Sequence, residues 1–310
     1  MNASNHSFSN SKVVCSRSII DDDYVAVDHF FIVLSIIVNM LTCPLTILLN
    51  ALTIIAIRTK RRIQTKQNIL LACLAGTDVV VGIASQPVFI AQEIILISSG
   101  SLSVYCKLYE VTHTVSVCLF LVSLFHLAFI AFERFVAMKY SLRYESVVTK
   151  SRLAVTVAFS WLFVMIYCVT WILSNKMPFA ATTVVIPNFL VIIFCHTSVY
   201  FVCRRHIIQI KSEQVSIEAK TKFMEERKAW TTTTVIIGGL FLCYLPGFLS
   251  SLAYQVSPDP ASLLHRITRS SRPMRFTSFM LNSLLNPIIY CWRSRVIREA
   301  LLQLLKKQGT

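Results

Sequence analysis

From Val111 to Phe132 the chain carries no Asp, Glu, Lys or Arg, and the run ends abruptly in Glu133-Arg134-Phe135-Val136-Ala137-Met138-Lys139. A helix crossing the hydrocarbon core of a bilayer needs about 20 apolar residues, so this stretch fits a span. An acid and an arginine at its boundary are costly to place and are functional candidates by default. The simpler alternative is an Arg134 that snorkels to lipid headgroups. Six further apolar runs accompany it: Phe30 to Ile57, Asn68 to Ala91, Leu153 to Asn175, Met177 to Cys203, Trp230 to Pro258 and Phe276 to Trp292. A mean hydropathy of +0.63 with only 15% charged residues excludes an ordinary soluble domain. The net charge of +15 lies at the ends of the apolar runs, a pattern that orients a protein in lipid rather than lining a nucleic-acid groove.

The expected fold is all-α: a seven-transmembrane helix bundle over residues 30–292, preceded by a polar tail over 1–29. Residues 293–310 read as a juxtamembrane helix and short cytoplasmic tail, because Arg293, Arg295 and Arg298 alternate with Val296, Ile297, Leu301, Leu302 and Leu305. That alternation suits a helix lying on a leaflet. Basic residues cluster after the first, third and fifth runs, which places those connections in the cytosol and the N-terminus outside. No cleavable signal peptide is evident in the tail, whose Asn2 and Asn5 head glycosylation acceptor patterns. Arg266, Arg269, Arg272 and Arg275 break the charge rule on the outer side. An anionic ligand, the Asp21-Asp22-Asp23 cluster and solvent are all open to them, with solvent the default. Ten cysteines suggest a disulfide framework until they are placed. Cys43, Cys73, Cys118, Cys168, Cys195, Cys203 and Cys243 fall in apolar runs and read as small buried hydrophobes.

Polar groups inside the spans are the next constraint. Asp78 sits in the middle of the second run, where a carboxylate needs partners, water or an ion. Ser123, Asn282, Ser283 and Asn286 can supply oxygen ligands, and one negative charge among them suits a hard cation such as sodium. A hydrogen-bonded packing network with Asp78 protonated is the other reading. Pro246 and Pro287 bend the sixth and seventh runs beside Tyr244, Asn286 and Tyr290, making those helices plausible moving parts. Glu225 and Glu226, on the cytosolic extension of the sixth run, can meet Arg134 as an ionic clamp or remain a solvated helix end.

Taken together, Asn50, Leu74-Ala75-Gly76-Thr77-Asp78, Glu133-Arg134-Phe135, Trp161, Cys243-Tyr244-Leu245-Pro246 and Asn286-Pro287-Ile288-Ile289-Tyr290 resemble the rhodopsin-like (class A) G-protein-coupled receptors. The resemblance covers roughly Phe30 to Leu305, and the order and spacing of the motifs carry it. It implies that Arg134 is locked to Glu133 and Glu226 at rest and is released to a heterotrimeric G protein when active. It implies a sodium pocket at Asp78, Ser123, Asn282, Ser283 and Asn286, with no obligatory cofactor. Tyr200 and Tyr290 would swing inward, and Tyr244 replaces the usual tryptophan of the sixth-helix switch around Pro246. His126 is expected to hydrogen-bond Trp161. Arrestin and membrane lipids are further expected partners, nucleic acid is not, and the location is the plasma membrane.

Departures from the family pattern narrow the branch. Ile192 stands where a mid-helix proline is usual, and the connection from Ser174 to Thr183 is short and lacks cysteine. These features, with Leu142-Arg143-Tyr144, resemble the melanocortin, lipid and cannabinoid branch. Cys106 therefore lacks its customary partner, and a Cys15 to Cys106 disulfide is expected in an oxidising compartment. Amine receptors of the family place an aspartate in the outer half of the third helix, where this chain has His113 and Ser116. The expected pocket for a small-molecule or peptide agonist comprises Glu93, Glu110, His113, Ser116, Phe120, Tyr244 and Phe248. A retinal photoreceptor is disfavoured because Phe276 to Trp292 contains no lysine. A transporter or channel is the remaining alternative, although the paired broken helices of many transporters are absent. An enzyme is not expected.

Overall fold

The computed structural model describes the backbone of residues 13–15, 18–20, 22–98, 100–174, 179–212, 216–256, 262 and 270–307. It describes their side chains too, apart from 13–28, 62, 171–172, 174, 179–182, 209–212, 219, 222, 246–248, 250–256, 296 and 304–307. A small antiparallel hairpin, β1 (Val13–Cys15) and β2 (Ser18–Ile20), pairs Val13 with Ile20 and Cys15 with Ser18. All else that is regular is helical: α1 (Asp22–Thr59), α2 (Lys66–Val80), a π turn (Val81–Ser85), α3 (Gln86–Ile97), α4 (Leu102–Lys139) and a short α5 (Tyr144–Val147). Then come α6 (Lys150–Ser174), α7 (Phe179–Ser212), α8 (Ile217–Val256), α9 (Arg272–Arg293) and α10 (Arg295–Lys307). The first helix thus begins at Asp22, ahead of the apolar run at Phe30.

Six membrane spans are long and apolar enough by themselves: His29–Thr59, Lys66–Ile97, Leu102–Lys139, Lys150–Thr170, Thr183–Ile208 and Phe223–Leu245. The seventh, α9, falls short because one of its faces is polar, carrying Arg272, Arg275, Asn282, Ser283 and Asn286 at helical spacing. A helix of that kind belongs in a bundle with its polar face turned inward. Asn282, Ser283 and Asn286 are indeed buried. The span in α4 is 61% buried over its most apolar window, against 22–44% for the others, which makes it the central post of the bundle. It packs on α2, α3, α6, α7 and α8, while α9 sits between α1 and α8. Leu70, Leu74, Leu124, Leu127, Ile130, Ile236, Leu240 and Tyr290 fill the core between these helices.

Lipid tails are as apolar as leucine, so packing and interhelical hydrogen bonds, not water exclusion, hold such a bundle together. Asn39 is the clearest case. Its Nδ2 donates to Thr277 Oγ1 at 2.8 Å on α9, and its Oδ1 accepts from Gln86 Nε2 at 3.2 Å on α3. Asn50 Nδ2 donates to the Ser283 carbonyl at 3.0 Å, tying α1 to α9 a few turns further on. At α10 the amphipathic pattern resolves into Ile297, Ala300 and Leu301 buried, with Arg295, Arg298 and Glu299 exposed.

The π turn has a local cause. Pro87, in the first turn of α3, lacks an amide, and its ring would press on the preceding helical turn. Widening to i→i+5 register relieves that clash: Gln86 N donates to the Val81 carbonyl. In this register the Gly82 carbonyl faces residue 87, which has no N–H to offer, and the Cys43 thiol of α1 lies 3.2 Å from it instead. The close approach requires glycine, since a β-carbon at residue 82 would lie 2.6 Å from Ile47 Cγ1. Gly82→Val is therefore expected to destabilise the bundle by about 1–3 kcal/mol through overpacking. A lower melting temperature of the purified protein and reduced surface expression would register it.

Candidate functional site: a latch, a polar core and an aromatic cavity

At the end of the bundle that carries the basic connections, α4 delivers Glu133 and Arg134 on its last turns, both buried. Arg134 does not snorkel. Its Nε donates to Glu133 Oε2 at 2.5 Å, its Nη2 donates to Glu133 Oε1, and its Nη1 donates to Glu226 Oε2 on α8 at 2.6 Å. Glu226 is 28% exposed, so the partner across the helix gap is the one most accessible to water. Glu225 lines the same mouth, a cavity of about 430 Å³ shared with Gln64, Lys66, Tyr144 and Lys150. Tyr144, on α5, donates its hydroxyl to Glu133 Oε1. Burial, reinforced by the Glu133 carboxylate, raises the phenol above its ordinary range and keeps it a donor. The sequence marked Tyr144 only as part of a branch signature; its role as the fourth member of the latch depends on how α5 folds back under α4.

Midway along the bundle, Asp78 is buried and accepts a hydrogen bond from Asn286 Nδ2 at 2.8 Å, with the Ser283 hydroxyl also bonding to it. Asn282 and Ser283 are buried on the same face of α9, and Ser123 is buried on α4. Ser123 Oγ has no protein partner although it is enclosed. An orphaned buried hydroxyl on α4, a buried carboxylate on α2 and two buried amides on α9 are the kinds of oxygen donor that a small hard cation takes. Tyr290 is fully buried, Pro287 lies within α9, and Tyr200 is half exposed, edge-on to Phe201. The Tyr290 hydroxyl has no hydrogen-bond partner among the described residues, so the two tyrosines are not bonded to each other in this arrangement. His126 corrects its expected pairing: its Nδ1 lies 3.2 Å from Thr77 Oγ1 on α2, and Trp161 packs instead against the cluster of Val81, Phe89, Leu119 and Met280. Cys118 and Cys168 correct another expectation, for they are disulfide-linked between α4 and α6, not separate buried thiols. Cys106 is also disulfide-bonded. The side chain of Cys15, like Asn2, Asn5, Arg266, Arg269 and the side chains of Pro246 and Phe248, lies outside the described residues.

Toward the opposite end a cavity of about 430 Å³ opens between α4, α8 and α9. Its floor is an aromatic triangle: Phe120 and Tyr244 with centroids 4.6 Å apart, Tyr244 and Phe279 at 5.4 Å, and Phe120 and Phe279 at 6.0 Å. Tyr109, His113 and Phe276 form a wall at 6.1–6.5 Å spacing. Ser116 also lines it, its hydroxyl 2.8 Å from that of Ser85. Arg272 and Arg275 complete the lining. His113, Ser116, Phe120 and Tyr244 are thus brought together as expected, whereas Glu93 and Glu110 are not part of the lining. Glu93 is buried and accepts from Gln92 Nε2 at 2.8 Å. The π turn adds a residue per turn ahead of it, rotating all that follows by about 100° relative to an uninterrupted helix. Solvent, the default for the outer arginines, is corrected for Arg272 and Arg275. The signal for them was present in the chain: Arg272, Arg275, Phe276 and Phe279 stand at i, i+3, i+4 and i+7.

From Tyr109 to Arg134 along α4 is about 38 Å at 1.5 Å per residue, so cavity, polar core and latch lie in sequence across the thickness of a bilayer. Comparison with known proteins bears on the fold and the family. Trace amine-associated receptor 13c of Danio rerio is 28% identical over 281 residues, an alignment covering 79% of this chain and 77% of that receptor. The family model described as 7 transmembrane receptor (rhodopsin family) matches residues 49–290. A multi-pass helical bundle with a match over most of its length is a receptor and not an enzyme, and the chain belongs to the rhodopsin family of seven-transmembrane receptors.

Proposed function

We propose that this receptor sits in the plasma membrane with its N-terminus outside and converts occupancy of the aromatic cavity into nucleotide exchange on a heterotrimeric G protein. The observation that carries the proposal is the Arg134 guanidinium held between Glu133 and Glu226, which joins the inner ends of α4 and α8. An agonist must bind the arrangement in which that contact is parted more tightly than the one in which it is made. Tyr244, in contact with Phe120 and Phe279 at the cavity floor, is the side chain through which an occupant would press on α8. Movement of α8, hinged around Pro246, would then part Arg134 from Glu226 and open the inner mouth to a G-protein helix and, later, to arrestin. Tyr200 and Tyr290 would turn into the space that opens, with Pro287 allowing α9 to bend.

Asp78, Ser123, Asn282, Ser283 and Asn286 are the residues that would hold a sodium ion, whose charge would balance Asp78 and favour the latched arrangement. The cavity volume lies within the range for small-molecule sites, which favours a small agonist over a long peptide. G-protein dissociation sensors co-expressed with the chain test the proposal. Basal or ligand-driven dissociation should require Arg134. A signal that survives Arg134→Ala unchanged, or solute flux in reconstituted vesicles without any sensor response, would remove it.

A further inference from the structure

We infer that the groove between α1 and α2, at the end of the bundle that carries the latch, binds one anionic phospholipid, with its headgroup against Arg58 and an acyl chain laid over Gly76. The inference goes beyond the signalling proposal and is independent of it, since it requires only that the bundle stands in a bilayer. The groove has a volume of about 420 Å³ and is separate from the aromatic cavity. On α1, Ile54, Ile57 and Arg58 line it at i, i+3 and i+4. On α2, Ile69, Ala72, Cys73 and Gly76 line it at i, i+3, i+4 and i+7, so each helix turns a single stripe toward the gap. The stripe on α2 is about 10 Å long at 1.5 Å per residue, or roughly two-thirds of one leaflet's share of the hydrocarbon core.

Gly76 gives the groove its depth. A β-carbon at residue 76 would meet nothing within 4 Å apart from its own helix backbone, whereas one at residue 82 would press on Ile47. Apolar space that faces hydrocarbon takes up acyl chains as a matter of course, and the charge at one end selects among lipids. Arg58 stands exposed in the last turn of α1, and among the described residues its guanidinium forms no ion pair. Gln64, whose Nε2 donates to the Arg58 carbonyl at 2.7 Å, adds a second polar side chain to the same lining. Among the described residues lining the groove none is acidic, and Lys60 and Arg61 are exposed in the connection that follows Arg58. A basic pocket between helices at the membrane boundary suits an anionic headgroup. An arginine that only offset the C-terminal dipole of α1 would need no groove beside it. Gln64 also lines the mouth that holds Arg134 and Glu226, so a lipid bound here adjoins the latch.

The test uses the full chain purified in non-ionic detergent, with dioleoylphosphatidylserine set against dioleoylphosphatidylcholine, which share their chains and differ in headgroup charge. Native mass spectrometry counts the lipid retained by each receptor molecule, and thermal melting without added lipid checks the fold. The parent is expected to retain one serine lipid about fivefold more tightly than the choline lipid, the preference that one basic residue gives at a membrane surface. Arg58→Gln is expected to abolish that preference. Lys60→Gln, which removes an equal charge from outside the groove lining, should keep it. Gly76→Leu, which fills the groove, should lose both lipids at concentrations that saturate the parent. No serine preference in the parent, a preference that persists in Arg58→Gln, an equal loss in Lys60→Gln, or full retention by Gly76→Leu would each overturn the inference. Should Gly76→Leu melt well below the parent, Arg58→Gln and Lys60→Gln decide the matter, both altering exposed side chains.

Discussion

Glu226→Ala is expected to raise agonist-independent nucleotide exchange about five- to thirtyfold, and Arg134→Ala to abolish exchange, in membranes containing matched amounts of receptor. The two substitutions act on the same 2.6 Å contact and yet should move the signal in opposite directions. Removing Glu226 leaves Arg134 fully paired by Glu133, so no buried charge is stranded and the protein still folds. What disappears is the Arg134–Glu226 bond, which in the proposed mechanism breaks when α8 moves. A charge-assisted hydrogen bond between a buried group and a partly exposed one contributes roughly 1–2 kcal/mol beyond what water supplies in the open state. At 1.4 kcal/mol per factor of ten, the open fraction rises by the range stated. Removing Arg134 takes away the cation offered to the partner and leaves Glu133, itself 1% exposed, as a buried carboxylate held, among the described residues, only by Tyr144. Tyr144→Phe should lie between them, with a smaller rise in basal exchange, because it loosens Glu133 and leaves Arg134 in place. Equal basal rates for Glu226→Ala and the parent would mean that the contact does not restrain α8.

Asp78→Asn should make basal exchange insensitive to sodium, while in the parent replacing N-methylglucamine by sodium at constant ionic strength should lower exchange about fivefold or more. Asp78 is the only acid among the residues proposed to hold the ion, and it is buried against Asn286 at 2.8 Å. The amide of asparagine keeps the shape and an acceptor for Asn286, so this variant changes charge with little change in packing. Asp78→Ala is the harsher companion. It leaves the Asn286 amide and the Ser283 hydroxyl without their acceptor and should cost about 1–3 kcal/mol of stability. Sodium dependence that persists in Asp78→Asn would place the ion elsewhere and leave Asp78 as part of a packing network only.

The readable parts of this protein are those that one helix determines alone. Seven spans, their approximate limits and the buried identity of Asp78, Glu133 and Arg134 follow from runs of apolar residues interrupted by a few charges, because lipid penalises each such charge wherever its helix goes. The Arg134–Glu226 contact was one of the readings the chain left open, beside a snorkelling arginine and a solvated helix end; the packing of α4 against α8 chose it. The sequence places Glu93 near the cavity only by its position at the outer end of the second run; it does not line the cavity, and the π turn at Val81–Ser85 rotates the residues after it by about 100° relative to an uninterrupted helix.

His126 pairing with Thr77, Cys118 bonding to Cys168, and Arg272 and Arg275 lining a cavity with Phe276 and Tyr109 are matters of a different kind. Each depends on how two or three helices are rotated about their own axes and tilted against one another. The chain by itself determined that a hydrophobic bundle would form and which few polar groups it must enclose, since burial in lipid is priced residue by residue. Which of those groups touch, and hence which residues line the outer cavity, was decided only when the helices packed, since in lipid close contact and interhelical hydrogen bonds are the forces that choose a rotation.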